Sequence, residues 1–208
     1  MTGRFLSLEG GEGAGKSTQV RALAAAIEAC GATVVVTREP GGSEGAEAIR
    51  GLLMQGEVSR WDARAEALLF AAARADHVEK VIRPALALGH WVISDRYLDS
   101  TRAYQGLAGG IDDAAIMALH AFGSGGLLPD RTIVLDLPVQ EGARRAALRD
   151  QGFTDRFAQR GNDFHRRVAE AFRGFAEREP ARVRIVDAAR PPEAVTAAIL
   201  VELADLLP

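Results

Sequence analysis

Gly10-Gly11-Glu12-Gly13-Ala14-Gly15-Lys16-Ser17, followed by Thr18, has the spacing G-x-x-x-x-G-K-[ST]. Glycines at these places let successive backbone N–H groups converge on phosphate oxygens, and a helix beginning at the lysine adds its partial positive charge. Lys16 then reaches the outer phosphates, and the Ser17 hydroxyl can ligate Mg²⁺. The chain has 25 basic side chains, yet Lys16 and Lys80 are its only lysines. A compact ammonium therefore stands at the one place where a planar guanidinium fits a phosphate cradle poorly. These residues predict a nucleoside triphosphate as ligand. Glu12 is out of character, because a carboxylate repels phosphate. It either favours the helix N-terminus or points away and accepts a hydrogen bond from the hydroxyl of a second ligand.

Such a loop works only between a strand and a helix. Residues 4–9 read as a short apolar strand, and Val20, Leu23, Ala24 and Ile27 recur at helical spacing after it. Further on, near-continuous Val/Ile/Leu runs predict strands at 33–37, 91–94, 132–137 and 183–186. Helical stretches lie near 16–30, 44–54, 62–88, 112–123, 140–150, 162–179 and 191–206. The alternation predicts an α/β fold with a parallel sheet flanked by helices on both faces, in one domain spanning 1–208. Ligands of such sheets gather where the strands end. An Arg-rich, polar stretch at 144–167, broken by Gly152 and Gly161, reads as a mobile flap, with a lid at about 144–161.

Chemistry-bearing residues stand at those strand ends. Thr37-Arg38-Glu39-Pro40-Gly41-Gly42 joins a cation, a proline and two glycines in a loop suited to a phosphate pocket or to an ordinary charged turn. Asp95-Arg96-Tyr97 offers a carboxylate that holds Mg²⁺ and an arginine that neutralises phosphate, or else a structural ion pair. Asp136 is a weaker metal candidate, since no cation directly follows it. On helix 62–88, Arg74 falls on the apolar stripe one turn from Phe70. A guanidinium there must snorkel, meet a carboxylate or line a cavity. With Phe70 it suits a flat heterocycle bearing a carbonyl. None of the four histidines, His77, His90, His120 and His165, stands where it could act, so all four read as structural or surface residues.

With 208 residues that are 48% hydrophobic, the chain can bury a substantial core. A net charge of −3 gives no field for nucleic acid or an anionic membrane. No apolar run reaches spanning length, and the first residues lack a signal peptide's pattern. The single cysteine, Cys30, excludes a disulfide framework. A cytoplasmic protein is expected.

Together the motifs resemble those of bacterial thymidylate kinases, P-loop nucleoside monophosphate kinases, over nearly the whole chain. The matching segments are Glu9 to Thr18, Thr37 to Gly42, Leu69-Phe70-Ala71-Ala72-Ala73-Arg74, Asp95-Arg96-Tyr97 and Asp99-Ser100-Thr101-Arg102-Ala103-Tyr104-Gln105-Gly106. The resemblance implies a P-loop kinase fold with five parallel strands and transfer of the γ-phosphoryl of ATP to dTMP with Mg²⁺. It implies that Phe70 stacks on thymine, that Arg74 bonds its O4 and that Ser100, Thr101 and Gln105 serve the other polar edge. Tyr104 would lie against the deoxyribose, Glu12 would take the 3′-hydroxyl, and Pro40 would line the pocket. Arg38, Arg50 and Arg96 would hold the acceptor phosphate, and Asp95 would position Mg²⁺ through water. Residues 187–191 would flank adenine, and the protein would be a homodimer.

Phosphoryl transfer needs cations at the equatorial oxygens. Related kinases carry an arginine within the loop itself, whereas Gly11, Glu12, Gly13 and Ala14 supply none. Arg149 and Arg156 of the flap are the expected catalytic cations beside Lys16 and Arg96. A GTPase-like switch would need Asn-Lys-x-Asp, but Lys80 stands in Glu79-Lys80-Val81-Ile82. Another nucleoside monophosphate or deoxynucleoside kinase is the nearest rival. Three arginines on the acceptor favour a monophosphate.

Overall fold

The computed structural model describes residues 3–150 and 156–207, with 149 and 150 described by their backbone alone. Five strands, β1 (Arg4–Gly10), β2 (Val34–Arg38), β3 (Trp91–Asp95), β4 (Arg131–Asp136) and β5 (Val183–Asp187), form one parallel sheet in the order β2-β3-β1-β4-β5. All five expected strands are present within two residues of their predicted bounds. Helices α1 (Lys16–Ala29), α2 (Glu44–Met54), α3 (Ala63–His77), α4 (Arg83–Ala87), α5 (Leu98–Thr101), α6 (Asp113–Ser124), α7 (Val139–Asp150), α8 (Asn162–Arg178) and α9 (Pro192–Glu202) flank it. No helix among the described residues is long and apolar enough to cross a membrane.

Both faces of the sheet are covered, which is why its strands read as continuous apolar runs. Leu6 and Leu8 of β1 pack with Val20, Leu23 and Ile27 of α1 and with Val195 and Ile199 of α9. The alternate residue Phe5 packs on the other face with Tyr97 and with Ala67 of α3 and Ile116 of α6. Each such side chain, wholly buried, contributes roughly 1.5–3 kcal/mol. The register brings Leu8, Asp95 and Arg38 side by side, so three neighbouring strands finish at one level.

Three departures from the sequence reading matter. Residues 62–88 are one continuous rod, but a π-helical stretch, Val78–Ile82, separates α3 from α4. A second, Arg102–Leu107, extends α5 into a helical segment that periodicity did not indicate. The described second half of the flap region is also not loose. Phe157 and Phe164 are buried in a cluster with Tyr104, Val168 and Phe172.

Candidate active site

The loop between β1 and α1 takes its shape from the motif's glycines. Gly13 has φ 64°, and a Cβ there would lie 2.1 Å from the Gly142 carbonyl oxygen of α7. Helix α1 starts without a side-chain cap and without an acid in its first turn. By contrast, α2 and α3 are capped by Ser43 and Asp62 and carry Glu44, Glu47 and Glu66 in their first turns. The positive end of α1 is thus left for an anion. Lys16 Nζ donates to the Gly10 and Gly11 carbonyls at 3.2 and 2.7 Å. Burial, then Arg96, lowers its ammonium to about 7 against the pull of Asp95, Glu9 and Glu12. Phosphate oxygens alongside would raise it again.

Ser17 Oγ donates to Asp95 Oδ2 at 2.8 Å, joining the motif hydroxyl to the end of the neighbouring strand. A hydroxyl and a carboxylate are the oxygen donors a hard cation takes when phosphates and water complete its shell. The described residues contain no cluster of three or more acidic, His or Cys ligands. Asp136, the weaker candidate, has its carboxylate gripped by Arg173 at 3.0 and 3.1 Å.

A cavity of about 550 Å³ runs from this loop across the ends of β1, β2 and β3. Its walls include Glu12 to Thr18, Arg38, Pro40, Arg50, Phe70, Arg74, Asp95, Arg96, Ser100, Thr101, Tyr104 and Gln105. Gly10 and Gly11 instead line a smaller cavity of about 220 Å³ beside β4, α7 and α8. Residues separated by most of the chain thus converge on one cavity.

Arg74 meets a carboxylate and lines the cavity as well. It is 2% exposed; its Nε donates to Glu39 Oε2 at 2.7 Å and its Nη2 to Thr101 Oγ1 at 2.9 Å. Behind Glu39 stands His77, whose Nδ1 lies 3.0 Å from Glu39 Oε1 and whose Nε2 lies 2.7 Å from Thr37 Oγ1. Gly42, at φ 87°, closes the loop over this pair, and a Cβ there would sit 2.5 Å from both His77 and Thr37. Phe70 is half-buried, its ring 5.8 Å from that of Phe157. Gln105 Nε2 donates to Glu66 at 3.1 Å.

The cavity's other arginines are also held. Arg38 pairs with Glu47 at 3.1 Å, Arg50 donates to the Pro40 carbonyl at 2.8 Å, and Arg96 donates to Gly10 O at 3.1 Å and Ser100 Oγ at 3.0 Å. Burial opposes the charge on Arg96, but Tyr104, Glu9, Asp95 and Glu12 outweigh it and hold the guanidinium above its ordinary pKa.

The two flap arginines fare differently. The Arg149 side chain lies outside the described residues. Arg156 is 1% exposed and does not line the cavity, in contrast to the expectation that it is a catalytic cation. Its Nε and Nη1 donate to the Leu53 and Val58 carbonyls at 3.1 Å each, and its Nη2 pairs with Glu66 at 2.7 Å. Glu66 is itself wholly buried, and so draws in every guanidinium it can reach, Arg160 included. Arg145 of α7, which sequence reasoning did not single out, does line the cavity and donates to Ala188 O at 3.2 Å, within the 187–191 loop. Its position on the same helix stripe as Gly142 was the available signal.

The thymidylate kinase family model matches residues 8–199. The thymidylate kinase of Rhizorhabdus wittichii is 60% identical over all 208 residues, covering both chains completely. The chain belongs to the thymidylate kinase family. The Caulobacter vibrioides thymidylate kinase is 52% identical, over 95% of this chain and 94% of its own. A crystal structure of thymidylate kinase from Ehrlichia chaffeensis shares the fold with a TM-score of 0.76 at 31% identity, covering 98% of this chain and 99% of that one. Family membership makes the chain an enzyme, a nucleotide-binding phosphotransferase with ATP as the implied donor. The P-loop kinase fold read from the motifs is the fold observed.

Proposed function

We propose that the chain transfers the γ-phosphoryl group of ATP to the phosphate of dTMP, yielding dTDP and ADP. One observation carries this reading: Phe70, Arg74 and Gln105 share a single cavity with the glycine loop and with Arg38, Arg50 and Arg96. An aromatic face beside a fixed guanidinium suits a pyrimidine carbonyl, and the arginines suit a phosphate placed towards the loop. Tyr104 then lies at the sugar, with Glu12 on its hydroxyl.

In the reaction an oxygen of the acceptor phosphate bonds to the γ-phosphorus as the bond to the β,γ-bridging oxygen breaks, and ADP leaves with that electron pair. The attacking oxygen is already anionic, so no side chain need remove a proton. Loop amides and Lys16 hold the donor, and the arginines hold the acceptor in line with it. Ser17 and Asp95 fit Mg²⁺, which when bound neutralises the donor's phosphate oxygens. Arg149 is our choice for the cation that the lid, within 144–161 of a single domain, brings to the transferred group. Release of ADP should be fastest with dTMP in a comparison with dUMP, dCMP, AMP and GMP. Preference for either purine would remove Phe70 and Arg74 from base recognition.

The same reading places the enzyme in the cytoplasm, acting on free nucleotides as a homodimer. Adjacent helices α3 and α6 expose Leu68 and Phe122, the latter 94% exposed, which a second copy of the chain would cover. Sedimentation should show a dimer that Phe122→Glu converts to monomer. A wild-type monomer at micromolar concentration would end this proposal.

A further inference from the structure

Glu9 is the penultimate residue of β1, immediately before the glycine loop, and nothing in the reaction uses it. On β1 the side chains alternate, so Phe5, Ser7 and Glu9 share the face away from α1. Phe5 is core there, whereas Glu9 is a carboxylate with no exposure at all. It accepts from Tyr97 N at 2.7 Å, Ser7 Oγ at 3.0 Å and Ser100 Oγ at 2.5 Å.

These donors surround one residue. Arg96 has φ 72°, the only positive φ outside glycine among the described residues, and it is a strained conformation for a side chain of its size. The turn is tied down on both sides. Arg96 N donates to Leu8 O at 2.9 Å, Ser94 Oγ donates to Arg96 O at 2.6 Å, and the next amide, Tyr97 N, is the one that Glu9 accepts. Because Ser100 gives its proton to Glu9, its oxygen is free to accept Arg96 Nη1 at 3.0 Å. The main chain around Arg96 and the aim of its guanidinium thus both lead back to one carboxylate.

A neutral amide of the same shape could not accept from Tyr97 N and Ser100 together, since one of its two terminal atoms only donates. The ionised form is nevertheless costly here. Burial and then Asp99 push the carboxyl up to about 7, against Arg96, Ser100 and Tyr97 N. Lys16 and Tyr104 are the other titratable groups that feel it.

We infer that Glu9 is a positioning residue for the acceptor: its carboxylate fixes the strained Arg96 turn and, through Ser100, aims the guanidinium at the phosphate of the nucleoside monophosphate. This rests on the reading of Arg96 as a ligand of that phosphate. Calorimetry of dTMP, thymidine and ATP binding to Glu9→Gln, Arg96→Ala and the double variant tests it, with thermal midpoints measured alongside.

Glu9→Gln should weaken dTMP about 10-fold or more, the scale of a lost charge-assisted bond. Thymidine, which lacks the phosphate, and ATP should bind as before, and the double variant should bind dTMP no worse than Arg96→Ala alone. Equal weakening of dTMP and thymidine, or full additivity with Arg96→Ala, would overturn the inference. So would unchanged dTMP affinity in Glu9→Gln while Arg96→Ala loses it. If Arg96→Ala itself binds dTMP normally, the reading of Arg96 falls and this inference falls with it. Should Glu9→Gln not fold, Glu9→Asp keeps the charge but withdraws it by one methylene, and the same comparison decides.

Discussion

The two halves of the cavity that we assign to donor and acceptor are built on opposite plans. The half we assign to the donor is one unbroken stretch, Glu12 to Thr18, which offers backbone amides and an uncapped helix end. The acceptor half gathers side chains from β2, α2, α3, the end of β3 and the π-helical stretch at 102–107. Each of its cations is steered by another group: Arg38 by Glu47, Arg50 by Pro40 O, Arg74 by Glu39 and Thr101, and Arg96 by Ser100. Recognition by main chain is local and needs only glycine's conformational range. Recognition by guanidinium needs a second population of acceptors, carboxylates among them, to hold each fork in place.

The sharpest test separates the two flap arginines. Arg149→Ala should lower kcat about 10³-fold with an unchanged thermal midpoint, the scale of a missing arginine finger. Arg156→Ala should instead lose roughly 2–4 kcal/mol of stability, because the buried Glu66 loses a partner and the carbonyls of Leu53 and Val58 lose their donor. Its folded fraction should turn over at near-normal rate. Denaturation and steady-state rates on both variants check this, and a catalytically dead but fully stable Arg156→Ala would return that residue to the reacting centre.

A smaller effect belongs to the acceptor side alone. Glu39→Gln leaves Arg74 without its carboxylate, so kcat/KM for dTMP should fall about 10–100-fold while the KM for ATP stays put. Competition between dTMP and dCMP should show base preference narrowing as well. If ATP and dTMP suffer equally, the two halves are not built independently.

The mildest effect reports on the donor side. Lys16 is held down to about 7 by burial and then Arg96, and bound phosphate oxygens would restore its charge. Above pH 7 the free enzyme therefore binds fewer protons at Lys16 than the complex does. ATP should take up a fraction of a proton that grows towards about one near pH 8. Calorimetry in buffers of different ionisation heat measures it. Lys16→Met should abolish the uptake, and dTMP alone should show little of it.

This asymmetry also governs what could be read from residue order. The glycine loop and all five strands were legible because they are written contiguously, as fixed spacing or as unbroken Val/Ile/Leu runs. Helix α5 and its π-helical continuation were not. Asp99, Thr101, Arg102 and Gln105 are buried there through ion pairs and hydrogen bonds, so hydropathy carried no 3.6-residue rhythm. Arg74 could be flagged as anomalous on its stripe, but its partner Glu39 lies in a distant loop, and pairing across the fold leaves no trace in spacing. Arg156 misled for a related reason. Density of arginine suggested a flap, whereas the buried charge of Glu66 on α3 drew the residue inwards. His77, which reads from the sequence as structural or surface, braces Glu39.

The contact between Gly13 and α7 has a consequence for swapping parts between enzymes. A Cβ at 142 would meet Glu12 O at 2.4 Å, just as one at 13 would meet Gly142 O, so helix and loop touch skeleton to skeleton. Position 13, one of the variable letters of the phosphate motif, is therefore not interchangeable in this chain. A loop grafted from another nucleotide-binding protein, with any larger residue at 13, would lever α7 away from the loop, and would damage activity without altering a single residue of the Gly-Lys-Ser end of the motif.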